Sequence, residues 1–344
     1  MLAQKLPKQK LKWDAPPCSM GGKVKELHRM PLPPLTVIAV TGNDWRRTSR
    51  LIAALARQTI AREIEVVIVS VASDDKAEVA GAEGLDLVVS RHPDSCDWGH
   101  ARAEGVRRAR APIVAFLEDH TVPAPDWAEQ VRDAFATCDR SVTCICYAFT
   151  NGSPDSYFYR SVFMAEYGAL AHPLPTGEPP SSTANNIAYR RDALLALGPD
   201  LDALIEMDFF LQKAMKEDFR AETAPRALLA HQTNTHLLDL IPGHFLYARL
   251  FASRRVEHER WSLLKRLAGA AVVPVLVPVL RLKRLFQALS GHPLRRDAVA
   301  GLPVILLLYV SAAFGEAWGL LCGGKTSAAG LVWLELEAER VARS

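Results

Sequence analysis

Short apolar runs alternate with segments of helical period along most of this chain. An apolar strand is predicted over Leu35 to Val40, followed by a polar loop from Thr41 to Arg47. Leu51, Ile52 and Leu55 then fall on one face of a helix, since residues three and four apart share a side. Glu65 to Ser70 predicts a second strand and Leu85 to Val89 a third, a helix follows Gly99, and Ile113 to Leu117 predicts a fourth strand. Consecutive apolar residues bounded by polar ones fit a strand buried on both faces, and strands alternating with helices are the sequence form of a parallel α/β sheet. Asp126 and Glu129, on either side of Trp127, predict a capping box for a helix running to about Thr137. Val142 to Tyr147 reads as the next strand.

The fourth strand ends abruptly in Glu118-Asp119-His120. Ligands of open α/β sheets gather beyond the carboxyl ends of the strands, where carboxylate and imidazole can hold a divalent cation. Taken alone, the triplet reads first as an ordinary polar turn, and its surroundings reverse that reading. The chain has 344 residues with 49% hydrophobic content, enough for a sizeable core, and a formal charge of +3 does not suit a dedicated nucleic-acid binder. Its six cysteines are scattered, and no apolar segment opens the chain, which fits reduced thiols in a cytoplasm. Cys144 and Cys146 read as neighbours on one strand face.

Four regions follow: an extended basic lead-in over 1–34, an α/β domain over 35–240, an amphipathic or interfacial helical region over 241–300, and a hydrophobic helix with a tail over 301–344. Leu267 to Leu280 is apolar but holds Pro274 and Pro278, which predicts a re-entrant or interfacial element rather than a comfortable span. Leu302 to Cys322, with Glu316 its one acid, is long enough to cross a bilayer core of about 30 Å, while Gly315 and Gly319 fit a buried helix pair as well. Arg281, Lys283, Arg284, Arg295 and Arg296 lie between these runs and belong on the cytoplasmic side. Either only the second run crosses, or both dip into the leaflet.

Several segments, in order, resemble the family 2 glycosyltransferases of GT-A fold. Thr36 to Asn43 is similar to that family's first strand and nucleotide loop, and Val66 to Asp75 to its second strand. Gly99-His100-Ala101-Arg102-Ala103-Glu104-Gly105 is similar to its Gly-x-Ala-Arg-Asn-x-Gly turn, and Phe116 to Pro123 to its Asp-x-Asp metal segment. Ser182 to Arg191 resembles its small-residue segment, and Glu206-Met207-Asp208-Phe209-Phe210-Leu211 the acidic segment that holds the base of inverting members. Phe314 to Leu320 resembles the end of membrane-associated bacterial members.

The resemblance implies a GT-A domain, α/β with a mostly parallel sheet flanked by helices, that binds a nucleotide-sugar donor. It implies that Glu118 and His120 hold a divalent cation, manganese or magnesium, with imidazole favouring manganese. Thr41, Asn43, Ser70, Arg102 and Asp119 are the implied donor-binding residues, and Glu206 is the implied base with Asp208 as its companion. Ser70 and Ile205 stand where the family carries acids. His231 sits where the family has a late histidine near diphosphate or metal; a core histidine explains it as simply. His244 to Arg260 mixes aromatics with Arg249, Arg254, Arg255 and Arg260, which suits anionic headgroups or a donor phosphate. The expected activity is inverting transfer to a lipid-linked or glycan acceptor at the cytoplasmic face of the inner membrane, in polysaccharide or glycolipid assembly, without nucleic acid. A non-catalytic, membrane-bound scaffold is the alternative.

Overall fold

A computed structural model describes residues 32–42, 45–71, 82–92, 98–181, 185–215, 219–233, 237–324 and 327–332. The chain divides into Met1–Leu32, of which only Leu32 is described, and Pro33–Ser344. The lead-in thus lies almost wholly outside the described residues, as do Asn43 and Ser182 to Ala184.

In the second unit an eight-stranded sheet is ordered β3-β2-β1-β4-β7-β6-β8-β5. The strands are β1 (Thr36–Thr41), β2 (Glu65–Ser70), β3 (Asp86–Arg91), β4 (Ile113–Glu118), β5 (Thr121–Pro123), β6 (Cys144–Asn151), β7 (Ile187–Arg190) and β8 (Ala221–His231). The first half is parallel, as the sequence predicts. Beyond β4 the sheet becomes mixed: β7 pairs antiparallel with both β4 and β6, and β5 pairs antiparallel with β8. β1, β2 and most of β4 are buried because helices cover both faces. Burying each of their Val and Ile side chains is worth roughly 1.5–3 kcal/mol.

The α/β half is flanked by α1 (Trp45–Leu55), α2 (Trp98–Arg108), α3 (Trp127–Thr137), α4 (Tyr157–Glu166), α5 (Arg191–Leu195), α6 (Leu201–Leu204) and α7 (Asp208–Met215). Asp126 is the N-cap residue of α3 but makes no side-chain cap bond. The predicted capping box does not form, because Asp126 accepts from Gln130 Nε2 at 3.2 Å and Glu129 accepts from Thr59 at 3.0 Å. Cys144 and Cys146 are buried on one face of β6, as expected.

The C-terminal part is helical: α8 (Leu237–Glu259), α9 (Leu263–Ala288), α10 (Arg295–Ala300), α11 (Leu302–Cys322) and α12 (Ser327–Val332). The run interrupted by two prolines is longer than the sequence suggests. It forms the centre of a continuous helix of 26 residues, with Pro274 and Pro278 one turn apart inside it. α9 and α11 are both long and apolar enough to cross a membrane. Gly315 and Gly319 do form a close helix pair: a methyl group added to them would lie 2.1 Å from the Phe245 carbonyl and 2.3 Å from that of Arg249. α11 therefore lies backbone to backbone against α8.

Candidate active site

Register brings the site together. β4 delivers Glu118 at its carboxyl end, and the turn after it carries Asp119 and His120. β5 then pairs with β8 so that Thr121 faces His231, and the backbone N–H of Gln232 donates to the His120 carbonyl at 3.2 Å. Two histidines 111 residues apart are thereby placed with their Nε2 atoms 3.1 Å from each other. His231 Nε2 lies 3.4 Å and His120 Nε2 3.7 Å from Glu118 Oε2.

Glu118, His120 and His231 each offer one ligand atom, all within 4.8 Å of one another. Metal–ligand bonds of about 2.0–2.1 Å at adjacent corners of a coordination shell place ligand atoms roughly 3.0–3.4 Å apart. Two of the three spacings fall in that range and the third, 3.7 Å, lies just beyond it, so a small side-chain shift would seat one cation. Two imidazoles and a carboxylate favour manganese over magnesium. His120 Nδ1 lies 3.0 Å from Asp119 Oδ1, the carboxylate–histidine pairing that fixes tautomer and ring orientation behind a metal ligand. Glu118 is fixed as well, receiving hydrogen bonds from Asn185 Nδ2 at 2.7 Å, Asn186 Nδ2 at 2.6 Å and the Tyr167 hydroxyl at 2.9 Å. Burial alone would raise the Glu118 carboxyl, but the His120 charge, the His231 bond and charge, and the Asn185 bond hold it well below the usual carboxylate range. Burial likewise opposes a charged His120, yet the Glu118 charge and the Asp119 bond and charge push it up to about 9.

The cleft beside this cluster is lined by Ile38, Val40, Trp98, Arg102, Phe116, Leu117 and Asn185 together with Glu118, Asp119 and His120. Arg102 is buried on α2. Its guanidinium binds Asn185 Oδ1, donates to the Ile205 carbonyl at 3.4 Å and lies 5.7 Å from the Trp98 ring centre. Gly99 opens this helix because a Cβ there would lie 2.1 Å from the Asp202 carbonyl. Thr41 and Ser70 end β1 and β2 in register with each other, outside the cleft lining; the Thr41 hydroxyl shares a hydrogen bond with Thr48. Asn43 lies outside the described residues.

The two acids of the Glu206-Met207-Asp208 run diverge. Glu206 lines a second cleft with Asp202, Arg254, Glu257 and His258, and Arg254 of α8 holds its carboxylate through two bonds of 2.8 and 3.3 Å. Asp208 turns inward and accepts from the Tyr189 hydroxyl at 3.3 Å, while its second oxygen is buried without a hydrogen-bond partner among the described residues. Burial raises its carboxyl to about 7, against the Arg102 charge and the Tyr189 bond.

Asn185, Asn186, Tyr167 and Arg254 are the site residues whose roles the sequence does not disclose. The paired asparagines fall in the segment that resembles the family's small-residue run, and Arg254 in the basic, aromatic stretch read as suiting headgroups or a donor phosphate, but the sequence does not pair either with Glu118 or Glu206; Tyr167 carries no signal.

Residues 36–198 match the family model described as glycosyl transferase family 2. Among solved structures, the mannosyltransferase PcManGT from Pyrobaculum calidifontis, in complex with GDP-Man and Mn2+, aligns with a TM-score of 0.51 at 20% identity, covering 88% of each chain. TarS 1–349 from S. aureus in complex with UDP aligns with a TM-score of 0.45 at 16% identity, covering 86% of this chain and 91% of that one. No curated protein matches the chain.

Proposed function

With residues 36–198 forming a family 2 glycosyltransferase domain on a GT-A fold, we propose that this enzyme transfers a sugar from a nucleoside-diphosphate donor to a lipid-linked or glycan acceptor at the cytoplasmic face of the inner membrane, with inversion, in polysaccharide or glycolipid assembly. The observation that carries the reading is the Glu118, His120 and His231 cluster at the mouth of a cleft that also holds Arg102. GDP-Man and Mn2+ in PcManGT point the same way.

Glu118, His120 and His231 would hold manganese or magnesium, which when bound would supply a Lewis acid for the charge on the departing diphosphate. Arg102 grips a donor phosphate, because a guanidinium already fixed by Asn185 and the Ile205 carbonyl loses little freedom on binding. Asp119 orients His120, and Asn185, Asn186 and Tyr167 orient Glu118. Thr41 and Ser70, at the ends of β1 and β2, are proposed to approach the donor from beside the cleft lining.

Glu206 takes the proton of the acceptor hydroxyl as that oxygen attacks the anomeric carbon, a single displacement that inverts the centre. Of the two sequence candidates, Glu206 lines a cleft while Asp208 is turned inward onto Tyr189. Asp208 supports the site from within, beside Arg102. A panel of nucleotide sugars, offered to the full chain with and without manganese and followed by thermal shift and by donor hydrolysis, tests the reading. Stabilisation by one donor class only when metal is present is expected; failure of every donor to bind would overturn it.

A further inference from the structure

The outer face of α9 is an uncovered apolar stripe. Leu264, Leu267, Val272, Val275, Leu276 and Val279 are 45–78% exposed at helical spacing, and the stripe ends at exposed Lys265 on one side and Lys283 with Arg284 on the other. α11 continues the surface with Phe314 and Trp318, 56% and 52% exposed. Contiguous exposed apolar surface rimmed by charge marks an interaction or membrane site.

Both ends of α9 are tied to the catalytic half. At its start, Lys265 pairs with Glu259, which pairs in turn with Lys213 of α7, and Arg266 donates to the Leu320 carbonyl at 2.6 Å. At its end, Leu285 is buried against Gly168 and shares the main core with Tyr167, the residue that bonds Glu118. A helix of 26 residues is about 39 Å long. One that crossed a bilayer would carry its far end through roughly 30 Å of hydrocarbon, away from any domain on the near side. α11 is held at its start by α4, where Gly301 meets Ser161 and Tyr309 donates to the Ala165 carbonyl at 3.0 Å. At its end it is held by α8, the helix whose Arg254 holds Glu206, where Gly323 accepts from Arg249 at 2.7 Å. Its acid, Glu316, is buried 4.0 Å from Arg255 of α8.

We propose that α9 and α11 do not cross the membrane but lie in its plane, with the outer face of α9 seated in an anionic lipid leaflet. The charge selects that leaflet: residues 260–300 carry Arg260, Lys265, Arg266, Arg281, Lys283, Arg284, Arg295 and Arg296 against one acid, Asp297. The proposal specifies the membrane partner named above. It also places the Glu206 cleft, lined by Glu257 and His258, a few residues from exposed Leu263 and Leu264. An acceptor whose hydroxyl reaches Glu206 can then keep its apolar tail in the same leaflet.

Two measurements test this independently of transfer. Single cysteines at the two exposed ends of α9, Ser262→Cys and Ser290→Cys, are treated with a membrane-impermeant maleimide in membrane vesicles whose cytoplasmic face points outward, and labelled peptides are identified by mass. Both sites should react to the same extent; labelling of only one until the bilayer is dissolved means that α9 crosses and overturns the proposal. Flotation of the full chain with phosphatidylcholine vesicles should rise at least tenfold when phosphatidylglycerol is included, and Val275→Glu/Val279→Glu should abolish that gain while melting and donor binding match the parent. Equal flotation by that variant, or indifference to anionic lipid, also overturns it. If the parent meets both expectations yet binds no nucleotide sugar, the membrane placement stands and the proposed transfer falls.

Discussion

The buried Asp208 gives a test in which the sign and the size both follow from the fold. In the unfolded chain this carboxyl ionises near its ordinary value of 3.8, whereas burial holds it protonated in the folded protein up to about 7. Between these values the folded state binds a proton that the unfolded state has lost, so stability falls as pH rises and levels off once both states are ionised. About two pKa units of the shift lie between pH 5 and pH 8, and at ~1.4 kcal/mol per unit Asp208 costs the fold about 3 kcal/mol across that window. Asp208→Asn keeps the shape and the acceptor for Tyr189 but cannot ionise. Measured by urea unfolding, the variant should therefore gain about 3 kcal/mol relative to the parent on going from pH 5 to pH 8, with all other titrating groups cancelling in the difference. The reasoning extends to the donor cleft, because the Arg102 charge that favours the ionised acid is itself held by it. Asp208→Asn should bind donor more tightly than the parent at pH 8 and equally at pH 5. A parent-minus-variant stability difference independent of pH would refute the account of Asp208 as a desolvated acid.

Further outcomes are expected at the other parts of the site and at the helix pair. Asp119→Asn should weaken manganese binding, followed by calorimetry, by about 10–100-fold through loss of the His120 orientation, and His231→Ala should weaken it at least as much. Unchanged affinity in His231→Ala would remove that residue from the cation site. Glu206→Gln should leave donor affinity intact and slow transfer about 100-fold or more; if Asp208→Asn loses transfer at pH 8 and Glu206→Gln does not, the base is the inner acid. Gly315→Ala forces α8 and α11 apart and should cost roughly 1–3 kcal/mol in thermal melts. Gly243→Ala on α8, which has open space around it, should be neutral or stabilising through helix propensity, worth up to about 1 kcal/mol.

What the sequence discloses and what it hides divide along physical lines. β1, β2 and β4 are legible because burial on both faces demands unbroken apolar runs, and Glu118 with His120 because a polar cluster at a buried strand's end is conspicuous. β7 is hidden: four residues give no period to count, and its antiparallel entry between β4 and β6 is a matter of long-range pairing. His231 is legible through the family resemblance alone, because its meeting with His120 depends on the β5–β8 register, which brings the two into a cluster that could hold a cation.

The prolines of α9 show where a sound local rule yields to context. Each removes a backbone donor and ordinarily ends or bends a helix. Here they stand one turn apart, Pro278 is buried, and the residues around it on the outer face remain apolar. Packing along the helix, from Arg266 at one end to Leu285 at the other, outweighs two missing hydrogen bonds worth about 0.5–1.5 kcal/mol each. Continuity, in turn, is what lets one helix touch the catalytic half at both ends. Two shorter elements would leave the apolar stripe free to swing; a single one fixes it relative to Glu118 and Glu206, so that the depth of the leaflet and the position of the reacting groups are set by the same rigid rod.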